Sequence, residues 1–257
     1  MATAIAHPSA PITPARNLPG RRYDHYFFTG MALLMAATVF AGFAPSYYLA
    51  GVFHAPLPSL TIHLHGAIFT GWILLLITQT SLVSAGRVDV HRRLGIAAFL
   101  WACLMVVIGV LAATDSLVRE ANAARRDPKF FYIIPLSDML VFAILIALAF
   151  RARRNPSVHK RLILVASIDL LIAAIARLPF GFVHRQAAHA GMVSYLFLVM
   201  LVAYDLWSTH KVQRATLWAS AFMIFVYQVR IPLGKTETSR RTTTKDMPRI
   251  TRFALER

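Results

Sequence analysis

The chain has 257 residues, of which 57% are hydrophobic and 15% charged, and a net charge of +16; its mean hydropathy is +0.57. A soluble domain is about 45–50% apolar and about 25% charged, and the excess here lies in long uncharged runs, which excludes an ordinary soluble enzyme. The positive charge sits between those runs, where it anchors a membrane topology against anionic lipid headgroups rather than recognising nucleic acid. The single cysteine, Cys103, lies inside an apolar run, so neither an intramolecular disulfide nor a cysteine metal site is available.

Residues 1–22 are rich in Pro and Ala, lack the apolar core of a secretory signal, and read as a disordered cytoplasmic lead. From there the expected fold is all-α, a transmembrane bundle over residues 23–234. Its seven apolar segments lie near 26–48, 61–85, 94–113, 131–150, 161–181, 191–207 and 215–234. Residues 235–257 follow as a basic, disordered tail. Each segment is about 17–25 residues long, enough to cross a hydrocarbon core of roughly 30 Å.

Orientation follows from the basic residues of the connections. One side collects Arg16, Arg21, Arg22, then Arg87, Arg92, Arg93, then Arg151, Arg153, Arg154, Lys160, Arg161, then Lys211 and Arg214. The other side has no basic residue in its first loop. Its second holds Arg119, Arg125, Arg126 and Lys129, diluted by Asp115, Glu120 and Asp127, and its third holds Arg185. The basic side is expected in the cytoplasm of a bacterial cell, with the protein in the inner membrane and the N-terminus inside. The tail opposes seven spans, because Lys235, Arg240, Arg241, Lys245, Arg249, Arg252 and Arg257 then lie outside. Six spans is the runner-up.

The stretch 61–94, TIHLHGAIFTGWILLLITQTSLVSAGRVDVHRRL, is headed by histidines and footed by arginines. Within it His65, Trp72 and Gln79 recur every seven residues and share one helix face, which is expected to face the bundle; His63 points elsewhere. VDVHRRL (88–94) and PSVHKRL (156–162) form a weak internal repeat, each joining the foot of one helix to the head of the next.

Charges inside the apolar segments mark the candidate ligand site, since each costs at least about 2.5–3.5 kcal/mol on insertion scales. Asp138 and Arg177 fall at matching depth near the outer ends of segments four and five and are expected to pair. Arg230, in segment seven, lies at the same level. With His65 and Trp72 they form a polar cluster in the outer half of the bundle. Asp169 sits near mid-membrane on segment five, expected either protonated or paired with a partner the sequence does not identify. The competing reading is that these histidines and arginines only snorkel to headgroups.

Haem b is the cofactor such histidines suit, from two helices at equal depth. His91 and His159 form the inner candidate pair, and His65 with His184 or His189 the outer one. The inner pair has the better symmetry. The outer is favoured, because Arg177 and Arg230 supply counter-charges for propionates.

The wording HLHGAIFTGW, GRVDVHRRLG, HKRLILVAS, IARLP and AYDLWSTHKVQRATLW resembles a family of bacterial multi-pass membrane proteins with no agreed activity, over residues 60–220. More distantly, His65, His91 and His159 resemble the pattern of cytochrome b561-like bundles, a resemblance that implies haem- or oxidase-linked redox work. The charged tail departs from the apolar ends of the closer family. No lysine for a retinal Schiff base occurs in segment seven, and there is no phosphate-binding G-x-x-x-x-G-K loop or H-E-x-x-H helix. No catalytic motif is found, and a non-enzymatic role is expected. Three functions stay open: a redox or oxidase-linked component binding haem b or quinone; a transporter or sensor of a small anionic or lipophilic ligand; and a structural or assembly protein working with membrane partners.

Overall fold

A computed structural model describes residues 23–56, 58–123, 128–182, 184 and 187–245. The lead lies outside them, as do residues 246–257 of the tail. The described residues form helices joined by turns and irregular connections: α1 (Asp24–Phe43) running into a π-helical turn (Ala44–Tyr48), α2 (Leu60–Ser84), α3 (Val88–Ala123), α4 (Pro128–Arg151), α5 (Pro156–Asp169), α6 (Ile172–Ile175), α7 (Ala187–Thr209) and α8 (Arg214–Lys245).

Five stretches are long and apolar enough to cross a membrane: Asp24–Tyr48, Leu60–Ser84, Val88–Val118, Tyr132–Arg151 and Ala188–Thr209. Their outward faces carry large apolar side chains such as Leu33, Leu74, Leu100, Leu140 and Leu196, all exposed. Contiguous apolar surface of that kind belongs against lipid, and the chain is a helical membrane protein.

Two of the seven expected segments take another form. Segment five is broken, since α5 ends at Asp169 and the four-residue α6 resumes at Ile172. Segment seven is the first part of the 32-residue α8. That helix runs past Gly234 to Lys245, where the sequence reading has a disordered tail. Between Lys235 and Lys245 no Pro or Gly interrupts it.

Local signals account for the ends. Ser59 caps α2, its side chain accepting from Ile62 N–H at 3.5 Å. At the other end Gly86 takes φ +72°, while Gly86 N–H bonds Val83 O (3.1 Å) and Arg87 N–H bonds Leu82 O (2.8 Å). This is the paired-bond stop that favours glycine, and it separates α2 from α3. Asn155 caps α5 through Val158 N–H (3.4 Å), with Pro156 in the first turn.

α5 is the centre of the molecule. It packs on α4, α8, α7 and α1, and Leu164, Val165, Ala166, Ser167, Ile168 and Asp169 are all buried. α2 and α3 pack side by side, and α3 joins the rest through α4. α1 lies against α2 and α6. The last contact is backbone to backbone: a Cβ on Gly42 would stand 2.2 Å from Ala174 O. Apolar burial drives helix association weakly in lipid, so such close approaches and buried polar pairs carry more of the specificity.

Candidate functional site

Buried polar side chains gather at two levels: the end that holds the arginine-rich connections, called here the basic end, and the half of the bundle opposite it.

In the opposite half, Asp138 of α4 and Arg230 of α8 form a salt bridge with both side chains buried. Arg230 Nη1 also donates to Ser137 Oγ at 3.2 Å, and its guanidinium lies 3.9 Å from the ring centre of Tyr227, one turn earlier. The Tyr227 hydroxyl donates to the backbone carbonyl of Asp169 at 2.9 Å. The Asp169 side chain is fully buried, and neither of its carboxylate oxygens has a hydrogen-bond partner among the described residues.

The expected Asp138–Arg177 pair is therefore corrected: Asp138 pairs with Arg230. That pairing assumed one straight helix over 161–181. The break after Asp169 resets the register, and Arg177 comes out exposed. There it donates to Ala173 O at 2.6 Å and lies 4.6 Å from the ring centre of Phe43.

Trp72 and Ser167 link α2 to α5, with Trp72 Nε1 donating to Ser167 Oγ at 3.2 Å. On the same stripe, His65 stacks on Phe69 with ring centres 4.0 Å apart. Its Nδ1 is buried without a hydrogen-bond partner among the described residues, and Arg177 lies within electrostatic reach. His63 is exposed. His184 and His189 are exposed too, their Nδ1 atoms engaged by Leu178 O (3.3 Å) and Phe182 O (2.6 Å). No ring contact joins either of them to His65 among the described residues.

At the basic end His91, in the first turn of α3, and His159, in the first turn of α5, approach each other. Their ring centres are 6.4 Å apart and the planes nearly perpendicular at 80°. His159 Nδ1 meets Ala149 O at 2.9 Å, which places its proton on Nδ1 and leaves Nε2 as the lone-pair atom. His91 Nδ1 meets the Gln79 side chain. With both amide atoms satisfied, Gln79 donates to His91 Nδ1 (2.5 Å) and accepts from Gly95 N–H (3.1 Å), which puts the His91 proton on Nε2. A half-turn of the amide reverses that tautomer, because the carbonyl then accepts Nδ1–H.

The sequence reading missed the second buried ion pair. It assigned Arg161 to a positive connection, but the side chain is 2% exposed and bonds Asp205 of α7 through Nε (2.9 Å) and Nη2 (2.5 Å). Nη1 donates to Ser157 O and Oγ (2.7 and 3.1 Å), and the other Asp205 oxygen accepts from Gln213 N–H (3.1 Å) and Thr216 Oγ1 (2.5 Å). Nearby, Asp24 bonds Lys160 (2.6 Å) and Tyr204 (2.8 Å). The available signal was Asp205 itself, a carboxylate in an apolar run that demands a cation at its own depth. A cleft of about 530 Å³ adjoins this network between the α4–α5 and α7–α8 connections, with Asn155, Ser157, Lys211, Gln213 and Arg214 on its wall.

Among the described residues, no group of three or more His, Cys, Asp or Glu is arranged to hold a bare metal ion. Compared with family models, curated proteins and solved structures, the chain matches none.

Proposed function

We propose that the chain is a seven-span protein of the bacterial inner membrane, N-terminus cytoplasmic, that takes part in electron transfer through a b-type haem held by His91 and His159. One observation carries this reading: two imidazoles from α3 and α5 lie 6.4 Å apart between ring centres. A metal bonded at about 2 Å by a nitrogen of each ring needs the centres about 6 Å apart.

The donor chemistry fits. His159 has Nδ1 anchored by a backbone carbonyl, the outer partner that orients a ligating imidazole. His91 reaches the same state when the Gln79 amide turns. Arg87, Arg92, Arg93, Arg153 and Arg154 on the same end are counter-charges of the kind propionates require. Bound haem supplies the one-electron chemistry; the chain supplies the two ligands, their tautomers and the cationic rim.

This moves the favoured site from the outer pair to the inner one. Among the described residues no histidine ring meets His65, which stacks on Phe69, and Arg230 is already neutralised by Asp138. The same neutralisation argues against an anion transporter that uses Arg177 and Arg230 as its binding end. The cleft with Lys211 and Arg214 suits anionic lipid headgroups of the inner leaflet.

Absorbance of the purified protein, titrated with haemin, tests the assignment. A Soret band is expected for the wild type and for His65→Ala, and its loss for His91→Ala and His159→Ala. A wild type that stays colourless, or bleaching by His65→Ala alone, overturns it. Reporter fusions in 119–129 and after Lys245 test the topology; a cytoplasmic signal from the latter leaves six spans.

A further inference from the structure

We propose that Asp169 is a proton-binding site inside the membrane, and that the proton passes to Asp138 when Arg230 exchanges Asp138 for Asp169. The cluster holds two carboxylates and one guanidinium. Asp138 takes the guanidinium, and Asp169, fully buried, has both oxygens without a hydrogen-bond partner among the described residues. A carboxylate in such surroundings loses its hydration, with only Arg230 and the Tyr227 hydroxyl among the described residues near enough to act in its favour, and the neutral acid is the form that can persist. One proton on Asp169 makes the cluster neutral.

The groups that act on Asp169 come from two neighbouring helices, Asp138 of α4 and Tyr227 and Arg230 of α8. From α7 the titratable Tyr195 approaches the cluster, its ring centre 6.1 Å from that of Tyr227. Asp205 of α7 and Asp24 of α1 lie at the basic end, held by Arg161 and Lys160. Thus Arg230 is the only cation in the cluster among the described residues, and it has two carboxylates to choose from. With Arg230 on Asp169, that residue is ionised and its proton passes to Asp138, the carboxylate left without the guanidinium, so the cluster stays neutral. The helix break directly after Asp169 gives its side chain a freedom that a continuous helix would withhold. A bare metal cation is disfavoured: among the described residues no group of three or more His, Cys, Asp or Glu is arranged to hold one.

Infrared spectroscopy of the protein in lipid reads the protonated carboxyl stretch directly and needs no haem, so its outcome is separate from that of the ligation test. At neutral pH the wild type should show a protonated carboxyl band that is absent in Asp169→Asn and displaced in Asp169→Glu. The second variant keeps the acid should the first fail to fold. In Asp138→Asn the band should be lost, because Arg230 then turns to Asp169. Exchange of sodium for choline should leave the wild-type band unchanged. A wild type without the band, a band retained in Asp169→Asn or unmoved in Asp169→Glu, or an undiminished band in Asp138→Asn overturns the proposal; so does a band that depends on sodium.

Discussion

The two buried ion-pair regions use the same residue types and reach opposite balances. At the basic end every contact of Asp205 is answered: one oxygen by Arg161, the other by Gln213 N–H and Thr216, while Arg161 spends its remaining nitrogen on Ser157. In the opposite half one arginine faces two aspartates, and Asp169 is left over. A saturated network has one good arrangement and holds α5, α7 and α8 in register. An unsaturated one has two arrangements close in energy, which is what a site that changes state requires.

The comparison breaks first, and hardest, at Asp205. Asp205→Ala leaves Arg161 buried and uncompensated, an expected loss of about 3–5 kcal/mol in unfolding of the solubilised protein. Adding Arg161→Met should recover part of it, and a near-neutral Asp205→Ala would mean that the network is not structural. Asp138→Asn should cost less, about 1–3 kcal/mol by the same measurement, because Asp169 stands ready to receive Arg230. The double variant Asp138→Asn with Asp169→Asn removes that reserve and should cost as much as a broken buried pair, more than the two single changes together. Additive losses would show that the two carboxylates do not share the guanidinium. At the histidine pair, Gln79→Glu should fix the His91 proton on Nδ1 and tighten haem by about tenfold, and Gln79→Leu should loosen it by a similar factor, both read by titration. The smallest effect belongs to Asp169→Asn, under about 1 kcal/mol, since it exchanges one neutral side chain for another of the same shape.

How much of this the sequence could yield depended on whether a residue announces itself alone. Asp138 and Arg230 are charges within apolar runs, and the cost of such placement makes each conspicuous without any partner in view. His91 and His159 were legible together because the repeated V-H-x-R-L puts them at equivalent helix heads. Partnership was harder. Assigning Arg177 to Asp138 needed a helix of constant register through 161–181, and no Gly or Pro between Leu170 and Ala176 marks the break. Arg161 was hidden differently: adjacent to His159 and Lys160, it looked like one more anchor in a basic connection. Only the Asp205 side chain across the bundle reveals it as core. The helical run from Lys235 to Lys245 carries no apolar periodicity, so pattern alone gave no reason to continue α8.

The contact between Gly42 and the Ala174 carbonyl has a mechanical reading. Because α1 rests on the bare backbone of α6, there is no cushion of rotatable side-chain atoms to absorb a displacement. A tilt of α1 is expected to move α6, and through the short link Leu170–Leu171 the end of α5. A methyl group at position 42 acts as a shim of fixed thickness in that joint. Gly42→Ala alters no charge and touches no ligand, yet it should displace the segment next to Asp169, a carboxylate with no hydrogen-bond partner among the described residues.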